Sequence, residues 1–249
     1  MAVFILIHGG AHGGWCWDQL VPELEARGHR ALAPDLPGMA DSGLPISAAT
    51  MPNWASFVTD LARAQGEKVV LVGHSRGGPV IGEAAELAPE LFLGLVYLTA
   101  LLLPAGKTTM DAFDDPQPKL MEGVTMTPDG AAVIFNGESA RAAFYHRAPK
   151  ELSDAAIARL CPDPIAPSNT PMTITEERWG SLPRAFIECS DDRALRLPTQ
   201  RQMQAALPCD PVITLDSDHS PFLHMPEAVA DALETIAANF AARAGATAD

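Results

Sequence analysis

The chain has 249 residues, 47% of them hydrophobic and 19% charged, with a formal net charge of −14. That length suits one substantial α/β domain or two small ones, and the surplus of carboxylates repels nucleic-acid phosphates and anionic membranes, so neither is an expected partner. The four scattered cysteines, Cys16, Cys161, Cys189 and Cys209, form no C-x-x-C pair or metal-ligand spacing and read as reduced core thiols of a cytoplasmic protein.

The opening apolar run, residues 3–7, reads as a first strand. It lacks the positive n-region of a signal peptide and passes directly into His8-Gly9-Gly10-Ala11-His12-Gly13-Gly14. No apolar run approaches the ~20 residues of a membrane span. Residues 19–27 pattern as a helix closed by Gly28, a residue suited to a left-handed helix end. Residues 30–34 form the next strand, leading into the turn-rich Asp35-Leu36-Pro37-Gly38. Then come a helix over 53–65, a strand over 69–72, a helix over 76–88 and a strand over 94–98. Such alternation implies an α/β fold, a mostly parallel sheet flanked by helices.

From about residue 106 to 182 the rhythm breaks, and Pro, Asp, Met and Thr dominate. The stretch is too long for a structureless loop in a compact domain. It reads as a cap inserted into a core made of residues 1–105 and 183–249. Its best helix is 153–160, with Ser153 as the expected N-cap. Met110, Phe113, Met121, Met126, Phe135, Phe144, Tyr145 and Trp179 are candidates for an apolar pocket wall, of which roughly a third should face a ligand while the rest pack the cap. Strands resume at 184–188 and 212–215, with a helix over 198–206 between them. A closing helix runs from near Pro226 to about Ala242, and residues 245–249 are expected to fray.

The chemistry centres on Gly73-His74-Ser75-Arg76-Gly77, where a strand meets a helix. A serine at that bend is pushed out of the sheet edge in a strained conformation, and glycine on either side avoids collisions. Serine needs a base, and the base needs an acid to hold its tautomer. His219, just after the last strand, is the expected base, with His224 in reserve. Asp192 is preferred over its neighbour Asp191 as the acid, because successive extended side chains point oppositely and only one can face His219. The oxyanion hole needs two amide donors: Arg76, directly after the nucleophile, and one from the glycine-rich loop, for which Gly10 is the choice. His8 is expected to fix that loop by hydrogen bonds. His8 and His12 are four residues apart, but the glycines prevent a helix and no third ligand is evident, so no metal is expected. The loop lacks G-x-G-x-x-G spacing, so no dinucleotide is expected, and the reading requires no cofactor.

With these residues in place, the chain resembles the α/β-hydrolases, specifically the branch of plant methylesterases, hydroxynitrile lyases and bacterial pyrethroid-type esterases. The resemblance rests on His8-Gly9-Gly10 through Trp15-Cys16-Trp17, Gly28-His29, Gly73 through Gly78, Val96-Tyr97-Leu98-Thr99-Ala100 and Asp218-His219. It implies a Ser75–Asp192–His219 triad, an oxyanion hole at Gly10 and Arg76, and often a homodimer. The lyases of this branch carry threonine at the position of Gly9 and lysine after the catalytic histidine. Here that second position is Ser220, so no cation is in place to stabilise leaving cyanide. The methylesterases tend to carry methionine there, so Ser220 departs from them too.

Arg76 is a further departure, since such elbows more often carry Leu, Met or Gln. Its guanidinium either pairs with an acidic side chain of an adjoining loop or borders the pocket and favours anionic substrates. The expected activity is that of a serine carboxylesterase acting on small to medium hydrophobic esters. The alternatives are lyase, perhydrolase or thioesterase chemistry on the same triad, or a non-catalytic receptor for a small apolar ligand.

Overall fold

Alternation of buried side chains builds the centre of the molecule. In β1 (Val3–Ile7), Val3, Ile5 and Ile7 join one apolar cluster and Phe4 and Leu6 the other, because successive strand residues face opposite sides. β3 (Val69–His74) repeats the pattern, with Val69 and Leu71 in the first cluster and Val70 and Val72 in the second. All of these side chains are sealed from water, which is why the strands read as unbroken apolar runs.

The computed structural model describes residues 1–112 and 123–246. Within them the main sheet has six strands in the order β2 (Arg30–Leu32), β1, β3, β4 (Phe92–Leu98), β8 (Arg184–Cys189) and β9 (Val212–Leu215). Every pairing in it is parallel. On one face lie α2 (Met51–Arg63) and α3 (Gly77–Leu87), which supply Trp54, Val58, Val80 and Ile81. On the other lie α1 (Leu20–Ala26) and α9 (Pro226–Ala246), which supply Leu20, Leu24, Leu233 and Phe240. Each fully buried side chain of this kind contributes about 1.5–3 kcal/mol, so these two layers dominate the stability. Their fit is close: a Cβ added at Gly94 would lie 2.4 Å from the Phe240 ring.

The termini of the elements follow local chemistry. Past α1, Gly28 adopts a φ of +81°, as a left-handed helix end requires. Thr50 caps α2 by accepting from the Asn53 N–H over 3.3 Å, so this helix begins earlier than the apolar periodicity indicates. α9 continues through Ala246, beyond the expected end at Ala242 and through part of the segment expected to fray. Residues 247–249 lie outside the described residues.

Between β4 and β8 the chain forms a second, three-stranded antiparallel sheet of β5 (Val124–Met126), β6 (Ala132–Phe135) and β7 (Asp163–Pro164). The helices α4 (Gly137–Phe144), α5 (Lys150–Ala158) and α6 (Ile165–Ser168) accompany it, and α7 (Leu197–Ala206) and α8 (Pro221–His224) follow β8 and β9. Ser153 is not the N-cap of its helix. α5 starts three residues earlier, after Pro149, and the Ser153 N–H already donates to the Pro149 carbonyl over 2.9 Å. The buried Ser153 hydroxyl donates to the Lys150 carbonyl and accepts from Arg141.

The sheet order reverses at β1, with β2 on one side and the later strands on the other. Loops after β1 and β3 therefore diverge at the carboxyl edge and leave a crevice there, the place where open α/β sheets bind ligands. Among the described residues, no helix is long and apolar enough to cross a membrane.

Candidate active site

β3 ends at His74 and α3 begins at Gly77, so Ser75 and Arg76 must turn the chain. Ser75 does so with a φ of +52°, a conformation that costs a residue with a side chain of order 1–3 kcal/mol. Close backbone packing holds it there. An added Cβ would lie 2.6 Å from the Gly77 carbonyl oxygen at Gly73, 2.6 Å from that of Ile7 at Gly77, and 2.1 Å from that of Leu101 at Gly78. The Ser75 carbonyl accepts from Gly78 N–H at 3.0 Å and Leu101 N–H at 2.9 Å, which locks the bend from both sides.

β8 and β9 run side by side, with Cys189 opposite Leu215, so the loops that follow them leave the same edge together. His219 Nδ1–H donates to Asp192 Oδ2 over 2.6 Å. That oxygen also accepts from the Thr99 hydroxyl, while Asp192 Oδ1 accepts from the amides of Ala194 and Leu195, each at 2.7 Å. Both His219 and Asp192 are buried. Asp191 points away and meets His146 Nε2 at 3.0 Å. His224 is occupied elsewhere, 3.7 Å from Asp218 Oδ1 and 3.4 Å from the Ser217 hydroxyl. The Asp218 carboxylate accepts from the amides of Arg147 and Ser220 and shapes the loop that carries His219.

The loop after β1 is fixed by neutral histidines. His8 Nδ1–H donates to the Gly9 carbonyl at 2.9 Å, and its Nε2 accepts from the Leu36 N–H at 3.1 Å. Burial pushes its pKa down to about 3. His12, pushed down to about 4 by burial, donates from Nδ1 to the Gly10 carbonyl at 2.6 Å. Its Nε2 is then an acceptor, filled by the Tyr145 hydroxyl at 2.5 Å. Both nitrogens of both rings are therefore occupied within the protein. His74, also held neutral by burial, donates from Nε2 to the His219 carbonyl at 2.8 Å and so supports the backbone of that residue. Among the described residues, the amides of Gly10 and Arg76 have no acceptor within the protein.

Ser75, His219, Gly10 and Arg76 all border one cavity of about 520 Å³. Leu101, Val133, Phe135, Phe144 and Leu195 make much of its wall apolar. Of the residues expected in that wall, Met110, Phe135 and Phe144 line it. Met126 is exposed instead, Tyr145 is spent on His12, and Trp179 is buried in the core with its indole N–H donating to the Tyr97 hydroxyl. Phe113 and Met121 lie outside the described residues.

Arg76 borders the cavity and also pairs with an acidic side chain. Its Nη1 lies 2.6 Å from Asp163 Oδ1 and 3.1 Å from the Pro164 carbonyl. The guanidinium stacks 4.8 Å over the Trp54 ring. Burial raises the pKa of Asp163 while Arg76 opposes the rise. Burial also raises the thiol pKa of all four cysteines, which favours the protonated form.

Sequence reasoning did not single out Thr99 or Asp163 as site residues. Thr99 could have been noticed as the first polar residue after an apolar strand that ends at the same sheet edge as Ser75. Asp163 carried no such signal, because its place depends on the path of the inserted segment.

Residues 4–232 match the model of a family described as the alpha/beta hydrolase family. The chain is 36% identical over 249 aligned positions to a pyrethroid hydrolase of Sphingobium wenxiniae, covering 94% of this chain and 86% of the relative. It is 30% identical over 256 positions to methylesterase 1 of Arabidopsis thaliana, covering 95% and 96% respectively. A solved pyrethroid hydrolase structure from Sphingobium faniae superposes with a TM-score of 0.83 at 32% identity, covering 95% of this chain and 97% of that one.

Proposed function

The chain belongs to the alpha/beta hydrolase family, and from that premise we propose that it is a serine carboxylesterase acting on small to medium hydrophobic esters. The observation that carries the proposal is the left-handed Ser75, open to the same apolar cavity as a histidine whose Nδ1–H is held by a buried carboxylate.

In this reading Ser75 Oγ attacks the ester carbonyl and His219 Nε2 takes its proton. Asp192 holds the ring so that Nδ1 keeps its hydrogen and Nε2 is free to act as base. The free amides of Gly10 and Arg76 receive the negative charge that develops on the carbonyl oxygen. Protonated His219 gives its proton to the leaving alcohol, and water then releases the acyl group by the reverse sequence. The cavity can enclose an ester of modest size, and its apolar walls favour hydrophobic acyl and alcohol groups.

Cyanohydrin cleavage has less support. Ser220 supplies no cation beside His219, and a Cβ at Gly9 would lie 2.9 Å from both Ser75 Cβ and His74 Nδ1. A threonine there would require the elbow to shift.

The relatives direct the choice of test compounds: p-nitrophenyl esters of increasing acyl length, aryl methyl esters and bulky pyrethroid-type esters. Purified protein should hydrolyse members of this panel, and Ser75→Ala should lose several orders of magnitude in kcat without loss of melting temperature, keeping only the small residual rate that the oxyanion hole supports. Wild-type protein inert toward every class, or a Ser75→Ala variant with turnover close to wild type, would contradict the reading.

A further inference from the structure

Arg76 and Asp163 form a largely buried ion pair, with side chains 5% and 13% exposed, that the triad does not use and that lies between the loops that carry the two oxyanion amides. We propose that this pair is a brace that sets the spacing of the Gly10 and Arg76 amides, a role that rests on the serine-esterase reading above. Three contacts converge to make it.

Arg76 contributes one amide itself, and its guanidinium reaches Asp163 Oδ1 at 2.6 Å and the Pro164 carbonyl at 3.1 Å. The same Asp163 oxygen accepts from the Ala11 N–H at 3.0 Å. Ala11 directly follows Gly10, so one carboxylate oxygen ties the loop after β1 to the loop after β3. The Ala11 carbonyl in turn accepts from the Cys161 N–H at 2.9 Å, so both polar groups of Ala11 are held by the same short stretch of the inserted segment.

Strain and close approach show that the brace is under constraint. Ala11 has a φ of +57° despite its side chain, a conformation that persists only where the surroundings impose it. On Gly10, the direction a Cβ would take is filled by Asp163, whose Oδ2 would be 2.6 Å from it. Away from Asp163, the guanidinium is fixed by Trp54 and by Met39 Sδ at 3.0 Å.

The pair also balances charge. A lone carboxylate beside the amides would oppose a developing oxyanion, and a lone guanidinium would be buried without a partner. Paired, they hold geometry without adding net charge to the site. In the brace both side chains act through the backbone and are positioning groups, while the Arg76 amide is itself one of the oxyanion donors.

A trifluoromethyl ketone and its methyl ketone isostere separate this role from ordinary stability, since only the fluorinated compound readily adds Ser75 to form an oxyanion. Wild type should bind the trifluoromethyl ketone far more tightly. Asp163→Ala should lower that preference by about 10-fold or more, because displaced oxyanion donors are costly. The methyl ketone affinity should hardly change, and kcat should fall with the preference. Asp163→Asn, which keeps an acceptor for Ala11, should recover most of it. Where Asp163→Ala does not fold, the double variant Arg76→Leu/Asp163→Ala leaves no unpaired charge and should show the same lowered preference. A folded variant with unchanged preference, or one that weakens both ketones equally, would overturn the brace. A wild-type protein that failed to distinguish the two ketones would instead remove the esterase reading beneath it.

Discussion

Asp192 Oδ2 accepts two hydrogens at once, one from His219 Nδ1 at 2.6 Å and one from the Thr99 hydroxyl. Its other oxygen takes two backbone amides at 2.7 Å. A carboxylate held by four donors cannot rotate, and it fixes the imidazole plane and tautomer with it.

Asp192→Asn should therefore cost much more than a charge. An amide at this position can present a donor to Nδ1, which turns the imidazole to the wrong tautomer, a change worth about 10⁴-fold in kcat where the same arrangement operates. Asp191→Asn, on the side chain facing His146, should leave kcat within about threefold, since it alters a half-exposed contact outside the site. Steady-state kinetics of the two variants on one p-nitrophenyl ester check this directly.

Thr99 acts one step further back. Thr99→Val removes a donor from a buried carboxylate and should lower kcat by about tenfold, the scale of one hydrogen bond to a charged group. Thr99→Ser keeps the hydroxyl and should stay close to wild type. An equal loss in both variants would place the effect in packing or in the left-handed backbone at this position, where φ is +36°.

The alternation of apolar runs and helices was legible because parallel strands buried on both faces leave continuous signals, as residues 3–7 and 69–72 do. Glycine and histidine spacing around Ser75 was legible for a related reason: sharp turns demand special residues locally. The inserted segment was not. Its β5–β6 hairpin turns through Thr127-Pro128-Asp129-Gly130, with Gly130 at a φ of +70°, but β6 is the short apolar run Ala132–Phe135, and such a run has no period that tells a strand from a helix. The Ser153 cap failed because Pro149 begins the helix a turn earlier. Asp163 lies 87 residues from Arg76 in sequence, and no local rule reports a contact of that range.

The neutral histidines predict acid sensitivity. The folded pKa values of His8 and His12, about 3 and about 4, lie below the unfolded value of 6.5. As pH falls below 6.5 the unfolded chain gains protons that the folded chain refuses, so stability present at neutral pH is lost toward pH 4 and below. For His12 the loss reaches a few kcal/mol, since each tenfold weakening of proton binding is worth about 1.4 kcal/mol. Urea denaturation across this range should show the fall, and His12→Gln, which can still donate to Gly10 and accept from Tyr145, should show a shallower one.

Gly94 tests the packing of α9 on the sheet. Gly94→Ala drives a methyl into the Phe240 ring and should destabilise the protein by about 1–3 kcal/mol. Adding Phe240→Leu should return part of that loss, because the two changes act on the same space. Independent, additive losses in the double variant would contradict the contact.

In the proposed mechanism everything depends on Ser75 being a nucleophile activated by His219. Intact mass spectrometry after treatment with a fluorophosphonate tests this most directly. Wild type should carry one phosphonyl adduct per chain, mapped to Ser75, with labelling abolished in Ser75→Ala and slowed by orders of magnitude in His219→Ala. Folded wild-type protein that remains unlabelled, or an adduct mapped to another residue, would contradict it.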